Sequence, residues 1–225
     1  MKKVLIILIA ILIASCSDDA TSPDGMAQVE VISNFENSTV YKLNTFSFKN
    51  VEIDSLVVND FRILISRLKL GNGSNEQDLK LEPLLIKADS TRNLYFVSKA
   101  NVPEGDYDKI KFEIHRFSES ERTNYVGDTL FGDFATEDKN TIIIRGIYYI
   151  EGDAIEFNFT SDQTENLSIN FKEKISLSDD NLNTLLFDID PTLIFLSENV
   201  ILEPNTANQK IIEKNIHKGI VILKK

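Results

Sequence analysis

The chain carries a single thiol, on Cys16, among its 225 residues. One cysteine excludes an intrachain disulfide and any zinc site built from several thiolates. Cys16 closes a short N-terminal segment in which residues 4–14 form an uninterrupted apolar run. A helix that spans a bilayer needs about 20 such residues, whereas this run has the length of a signal-peptide core. The first 16 residues therefore predict export, with the thiol at the end of the exporting segment.

The four residues that end in this thiol, Ile13-Ala14-Ser15-Cys16, come after a basic start, Met1-Lys2-Lys3. This arrangement resembles the lipobox of bacterial lipoproteins, in which an aliphatic residue and two small residues precede the cysteine. The resemblance implies that residues 1–15 are a signal peptide, that the Cys16 thiol receives a diacylglycerol, and that the new amino terminus is acylated. Two alternatives stay open: a plain secretory signal with an incidental cysteine, and a simple membrane-anchor helix.

The triplet directly after the cysteine is acidic and consists of Ser17, Asp18 and Asp19. It resembles the export signal that sends lipoproteins of Bacteroidetes-type bacteria to the outer face of the outer membrane; an ordinary acidic tether is the alternative. From Ser17 to Gly25 no large apolar residue occurs, which predicts a flexible spacer. The predicted organisation is a signal peptide (1–15), an acylated cysteine with its spacer (16–25) and one folded domain (26–225).

The net charge of the chain limits the kinds of molecule that its surface could bind. Lys and Arg number 24 against 35 Asp and Glu, a formal net charge of −11, and loss of Lys2 and Lys3 with the signal peptide would make it −13. A nucleic-acid binder needs a basic surface, so that class is excluded. An acidic surface is also repelled by anionic lipid headgroups. The expected membrane contact is therefore the lipid anchor and not the protein surface.

The sequence offers few combinations of residues that could catalyse a reaction. The chain has only two histidines, His115 and His217, and no G-x-S-x-G nucleophile motif. His115 falls on the polar phase of an alternating stretch, and His217 falls near the end of a predicted helix, where the helix dipole favours a cation. The sequence thus predicts a protein that is not an enzyme and that needs no cofactor.

Closely spaced carboxylates are the remaining candidates for chemistry. The pairs are Asp106 with Asp108, Asp179 with Asp180, and Asp188 with Asp190. Asp188 and Asp190 lie two residues apart and would share one strand face, so they are the first candidates for a metal ion, with a solvent-facing pair as the alternative. An envelope hydrolase that uses an acid pair is kept as an alternative function.

Period-two alternation dominates the mature chain and predicts strands. It is clearest where Ile110, Phe112 and Ile114 alternate with charged residues. Further alternating stretches lie at 28–31, 51–55, 61–66, 155–160 and 167–171. The apolar runs 142–144 and 147–150 fit strands buried on both faces.

Turn signals at 71–75, 103–106 and 151–153 separate these runs. The pattern predicts an all-β fold, an antiparallel β-sandwich of immunoglobulin or transthyretin type. A short C-terminal helix is expected at 207–218, where Ile211, Ile212 and Ile216 form an apolar stripe and Gly219 ends the helix. A last strand at 220–223 and a helical turn at 190–195 complete the prediction.

The stretch Val102-Pro103-Glu104-Gly105-Asp106-Tyr107, which leads into the strand at Ile110, resembles a turn in uncharacterised β-sandwich surface lipoproteins of Bacteroidetes-type bacteria. Phe187-Asp188-Ile189-Asp190 and the closing helix are similar to that group as well. The resemblance implies the fold and carries no activity. Tyr107 is expected to pack its ring while its hydroxyl group bonds to the backbone.

The function predicted from these observations is a lipid-anchored, surface-exposed outer-membrane protein that acts as a binding or structural module. Its ligand surface is expected at the loops 71–78, 118–132 and 176–183, because loops at the ends of a sandwich are free to vary. A glycan or a protein is the expected ligand. A carbohydrate-binding accessory of a glycan-uptake system is the first alternative, and it predicts exposed aromatic residues on one face.

Overall fold

The computed structural model describes residues 25–35, 37–41, 52–80, 82–91 and 94–225. The predicted lipidation residue Cys16 and the predicted export residues Ser17, Asp18 and Asp19 lie outside the described residues, as does Val51 of one predicted strand. Within the described ranges no helix is both long enough and apolar enough to cross a bilayer.

The described ranges form 14 strands and three helices. The strands are β1 (Met26–Phe35), β2 (Thr39–Tyr41), β3 (Ser55–Asn72), β4 (Asn75–Lys80), β5 (Leu84–Asp89), β6 (Tyr95–Pro103), β7 (Gly105–Ile114), β8 (Ile142–Ile150), β9 (Asp153–Ser161), β10 (Glu165–Leu177), β11 (Asn183–Ile189), β12 (Leu196–Ser197), β13 (Val200–Ile201) and β14 (Ile220–Lys224). The helices are α1 (Glu119–Tyr125), α2 (Pro191–Phe195) and α3 (Gln209–Ile216). This content confirms the all-β class.

Two sheets make up the body of the fold. The smaller sheet has the strand order β14-β11-β1-β6, and the larger has the order β10-β7-β3-β8-β9, with β2, β4 and β5 paired to β3. β3 is 18 residues long and pairs with β8 through its first half and with β7 through its second half. This one long strand therefore joins the two halves of the larger sheet.

A single main core contains residues of both sheets. Phe112 of β7 and Phe187 of β11 meet edge to face across it, with ring centroids 5.9 Å apart. The predicted inward triplet of Ile110, Phe112 and Ile114 is 0, 1 and 2% exposed. Alternation in the sequence thus identified the core-facing side of β7 correctly, because a strand sends alternate side chains to opposite faces.

One strand pair departs from the antiparallel prediction. β1 and β11 run parallel, with Val31 opposite Leu185 and Ser33 opposite Phe187, while the other pairs in the smaller sheet are antiparallel. Parallel neighbours need a long connection between them, and nearly the whole domain separates these two strands. Both orientations give the same period-two pattern, so alternation could not reveal the direction.

The C-terminal helices cover the part of the larger sheet formed by β8 and β9. Phe195 of α2 packs edge to face on Phe157 of β9, with 6.0 Å between ring centroids. Ile212 and Ile216 of α3 are buried in the main core. The predicted helix, the helical turn before it and the final strand are all confirmed, although α3 is shorter than the predicted 207–218.

Two details of the predicted burial are wrong. Ile155 was expected to face the core but is 39% exposed, because β9 is an edge strand and Ile155 lies close to its hairpin tip. Ile211 is 45% exposed, since α3 turns Ile212 and Ile216 inward and successive helix positions are about 100° apart.

The turn predictions are confirmed at all three places. Residues 151–152 join β8 to β9, and Glu151 and Gly152 both adopt positive φ, 51° and 91°, as a tight hairpin requires. Gly73, with φ 58°, turns β3 into β4. At the third turn, Tyr107 is buried and its hydroxyl group donates to the Pro103 carbonyl at 2.7 Å, as expected.

Candidate functional site

The segment between β7 and β8, residues 115–141, folds onto the outer face of the larger sheet; we call it the β7–β8 connection. A second apolar cluster, distinct from the main core, lies beneath it. The buried members of this cluster are Leu64, Phe117, Phe134, Ala135 and Ile143. Leu64 and Ile143 lie on β3 and β8, which explains why apolar residues occupy both phases of these strands.

Helix α1 begins the connection with a capping box. The Ser118 N–H and hydroxyl donate to Glu121 Oε2 at 2.8 and 2.6 Å, and the Glu121 N–H donates back to Ser118 Oγ at 3.4 Å. The hydrogen bonds from the Ser118 hydroxyl and N–H lower the pKa of the Glu121 carboxyl. Our sequence analysis missed this helix although the S-x-x-E signature was present.

A group of four charged side chains fixes the other end of the connection to the sheet. Arg62 is 8% exposed and donates to Asp60 at 2.9 Å and to Asp133 at 2.7 Å. Arg145 adds a second donor to Asp133 at 3.0 Å. The hydrogen bond from Arg62, followed by that from Arg145, lowers the pKa of the Asp133 carboxyl against the opposing effect of burial.

Removal of Asp133 would leave the nearly buried Arg62 guanidinium with Asp60 as its remaining carboxylate partner among the described residues, and loss of a partner from a buried ion pair is costly. The Arg62 guanidinium also lies 5.6 Å from the ring centroid of Phe134, in cation–π contact. The charged group and the apolar cluster together hold the connection against the sheet.

A pocket of about 380 Å³ opens at the start of the β7–β8 connection; we call it the cationic pocket. Its lining includes His115, Arg116, Arg122 and Lys139, with Glu119 as the acidic member. Arg122 Nη1 donates to the Thr136 carbonyl at 3.1 Å, whereas its Nε is buried without a hydrogen-bond acceptor among the described residues.

A second concavity, of about 390 Å³, lies where the end of the connection, the end of β9 and the start of α3 meet; we call it the polar groove. Amide and carboxyl side chains dominate its lining: Asp138, Asn140, Asn158, Asp162, Asn205 and Gln209. The two concavities adjoin, because Arg116 Nη1 of the cationic pocket is 3.4 Å from Asp162 Oδ2 of the groove.

Another charged concavity, on the half of the larger sheet formed by β3, β4, β7 and β10, has its charges paired internally. Lys69 and Lys111 both donate to Glu76, with 3.1 Å between Lys69 Nζ and Glu76 Oε2. These two hydrogen bonds, that from Lys111 first, lower the pKa of Glu76 to about 2. Arg67 is 3.7 Å from Glu113. This surface is a cross-strand ion-pair ladder, which stabilises pairing rather than offering free cations.

The predicted metal residues do not share a coordination group. Asp188 lies on β11 and is 9% exposed, while Asp190 Oδ1 accepts the Thr192 N–H at 2.8 Å and so caps α2. In the part of the chain that the structure describes, no group of three or more His, Cys, Asp or Glu is arranged to hold a metal ion. A metal site at Asp188 and Asp190 stays a prediction.

Neither histidine lies in an arrangement suited to nucleophilic catalysis. His115 is exposed at the rim of the cationic pocket, and His217 is exposed at the C-cap of α3, as the sequence predicted for both. The acid pairs serve as hydrogen-bond acceptors: Asp106 accepts from the Ser176 hydroxyl and Asp108 from the Gly73 N–H. The pKa values of the Glu76, Glu121, Asp128 and Asp133 carboxyl groups are all lowered, whereas a general acid at neutral pH needs a raised pKa.

Two of the predicted ligand loops, 71–78 and 176–183, lie at the end of the fold where the spacer enters. The Glu104 N–H donates to the Gly25 carbonyl at 3.0 Å, and Glu104 Oε1 accepts the Asp179 N–H at 2.6 Å. We call this the spacer end. The third predicted loop, 118–132, is part of the β7–β8 connection.

No family model matches the chain, and no curated protein and no solved structure matches it. The resemblance to Bacteroidetes-type lipoproteins therefore stays a prediction.

Proposed function

We propose that this protein is a lipid-anchored cell-envelope protein that works as a non-enzymatic binding module, on the outer face of the outer membrane. The observation that carries the proposal is the position of Cys16, the one thiol, two residues after the apolar run 4–14 and nine residues before Gly25, at the start of the described fold. One acyl chain binds a membrane marginally, and two or more hold firmly.

The proposed fold of the module is a β-sandwich of immunoglobulin or transthyretin type. Two facing sheets with one shared core support this, as does the Phe112–Phe187 contact across that core. The Tyr107 hydroxyl bond to Pro103 also supports it, because sandwiches commonly use a tyrosine in this way at a sheet-to-sheet turn.

The ligand surface that we propose is the β7–β8 connection with its two concavities. Strand β7 runs from Gly105, at the spacer end, to Ile114, next to the cationic pocket. Ten residues of strand cover about 30 Å at roughly 3.3 Å per residue. A lipid at Cys16 would thus hold the spacer end towards the membrane and leave this surface away from it.

A carbohydrate-binding accessory is the second candidate, because the amide-rich lining of the polar groove suits a ligand with many hydroxyl groups. This class is expected to have exposed aromatic residues on one face, but the two most exposed rings among the described residues lie on different sheets. Tyr41, 65% exposed, lies in the larger sheet, whereas Phe96, 63% exposed, lies in the smaller sheet. Retention on a panel of immobilised neutral glycans tests this candidate, and no retardation on any of them contradicts it.

Replacement of the anchor residue tests the proposed function. We expect Cys16→Ser to abolish incorporation of labelled palmitate and partition into a detergent phase, and to leave the 15 signal residues uncleaved. Ser22→Ala, in the same spacer, is the matched control and should behave as the natural chain. Equal palmitate labelling of the Cys16→Ser variant would refute the proposal. Protease digestion of intact cells tests the surface location, and a fully protected chain contradicts it.

A further inference from the structure

We propose that the cationic pocket binds an oxyanion group of an acidic glycan, a sulfate, phosphate or carboxylate, while the adjoining polar groove holds the sugar hydroxyls. This inference rests on the proposed function, because it names the class of ligand for the same surface. It rests on Arg116, Arg122 and Lys139, which the β7–β8 connection brings to one pocket from separate positions in the chain.

The pocket stands out against the charge of the whole chain. With a formal net charge of −11, the overall field repels anions. Three permanent cations line the pocket against one carboxylate, that of Glu119. Asp162 offsets the charge of Arg116 only weakly, because their side chains are 61 and 44% exposed and such ion pairs contribute little. The pocket therefore supplies a local attraction for anions.

The cationic pocket has cations that no protein carboxylate pairs with. Lys139 is exposed and forms no ion pair with the described residues, and Arg122 forms none with them either, since its Nη1 donates to the Thr136 carbonyl. A planar guanidinium suits the two oxygens of a carboxylate or phosphate. The paired ladder around Glu76 provides the contrast, since Lys69 and Lys111 there already donate to a carboxylate.

The backbone also holds Lys139 in an unusual conformation. Its φ is 55°, in the left-handed region that glycine or asparagine normally occupies, and its N–H donates to the Thr136 carbonyl at 3.3 Å. The same Thr136 carbonyl accepts from Arg122, so one turn positions both cations. Non-glycine residues held in this region often lie at functional sites, which is consistent with a placed cation.

The polar groove extends this recognition beyond one anionic group. Asp162 belongs to the groove and contacts Arg116 of the pocket, so a chain of sugar units could occupy both concavities at once. Amide side chains such as Asn140 and Gln209 can donate to one hydroxyl and accept from another. The predicted ligand is therefore a polymer with both hydroxyl and oxyanion groups.

The test measures binding of the purified full-length lipoprotein in detergent micelles to four polymers: dextran sulfate, a phosphomannan, polygalacturonate and neutral dextran. We expect at least one polyanion to bind, more weakly at high salt, and neutral dextran to bind at least tenfold more weakly. The Arg122→Gln/Lys139→Gln variant should raise the Kd for that polyanion about tenfold, because charge-assisted hydrogen bonds are lost. The identity of the polyanions that bind shows whether the pocket recognises sulfate, phosphate or carboxylate.

Two further variants keep the result interpretable. Lys139→Gln alone changes an exposed side chain and should raise the Kd about threefold without affecting folding. Lys172→Gln/Lys174→Gln removes the same charge from exposed positions of β10 and should change the Kd less than twofold. An equal effect of this control pair, tight binding of neutral dextran, or no binding of any polyanion would overturn the inference. Membrane attachment through Cys16 is measured separately, so the two proposals fail independently.

Discussion

Tyr107 lies directly after the turn at 103–106, where the chain crosses from β6 of the smaller sheet to β7 of the larger one. Its hydroxyl group bonds back to Pro103, the last residue of β6, and burial raises the pKa of the phenol. One side chain thus ties together the ends of strands in two sheets. This is a structural role, which agrees with the position of Tyr107 near the spacer end.

We expect Tyr107→Phe to lower the free energy of unfolding by about 1 kcal/mol, because a nearly buried hydrogen bond is lost while the ring still packs. Urea unfolding followed by circular dichroism measures this. Tyr125→Phe is the control, since the Tyr125 ring stacks on Phe117 and its hydroxyl makes no hydrogen bond with the described residues. Equal stability of Tyr107→Phe and the natural chain would contradict the role of the hydroxyl.

Gly146 marks a close approach in the larger sheet. A Cβ atom at this position would lie 2.0 Å from the Val57 carbonyl oxygen and 2.8 Å from the Phe157 ring. We expect Gly146→Ala to destabilise the protein by about 3 kcal/mol, because backbone would have to move in a packed sheet. Thermal unfolding measures the change.

Gly73→Asn is the matched control, because Gly73 has φ 58° and open space around it, and asparagine tolerates that conformation. If Gly146→Ala melted at as high a temperature as the control, the close approach at Gly146 would not limit stability, and the prediction would be wrong.

The ladder formed by β3, β4 and β7 makes the stability of the fold depend on pH. The pKa of Glu76 is lowered from 4.5 to about 2 by the hydrogen bonds from Lys111 and Lys69. The folded state therefore favours the ionised carboxylate. This contribution is complete above the ordinary pKa of the group and is lost as the pH falls from about 4.5 towards 2.

Glu76→Gln should therefore be less stable than the natural chain at neutral pH, and the difference should shrink between pH 4.5 and pH 2. Chemical unfolding at a series of pH values measures it. Glu173→Gln, on exposed β10, serves as the control because Glu173 forms no ion pair with the described residues. If the difference in stability between Glu76→Gln and the natural chain stayed constant down to pH 2, the ionised Glu76 carboxylate would not be its cause.

Some helices and strand directions could be predicted from the sequence, and others could not. The C-terminal helix was predictable because Ile212 and Ile216 mark a buried stripe and Gly219 follows it. Helix α1 was missed because it buries none of its seven residues and so has no apolar periodicity, although Ser118 and Glu121 signalled its start. The direction of β11 relative to β1 was also hidden, since alternation is the same in both orientations.

The candidate site was less predictable than the fold. The cations Arg116, Arg122 and Lys139 fall 6 and 17 residues apart, with no regular spacing. Only the folding of the β7–β8 connection over Leu64 and Ile143 brings them to one pocket. One of the three loops that the sequence predicted as a ligand surface, 118–132, is part of this connection.

At the scale of the whole molecule, the proposed lipid anchor at Cys16 would hold the end of the fold that contains Gly25 towards the membrane. Gly25 enters the fold beside Glu104, and the loops 71–78 and 176–183 lie at that same end. The proposed ligand surface lies at the opposite end of β7, about 30 Å from the spacer end. The acidic surface of the protein would be repelled by anionic headgroups, while the cationic pocket would still attract an acidic glycan.

The most direct test of this account is the intact mass of the natural protein extracted from membranes. The account predicts a chain of 210 residues that begins at Cys16 and carries the added mass of acyl chains. A chain that still begins at Met1, or one that lacks acyl mass on Cys16, would contradict it.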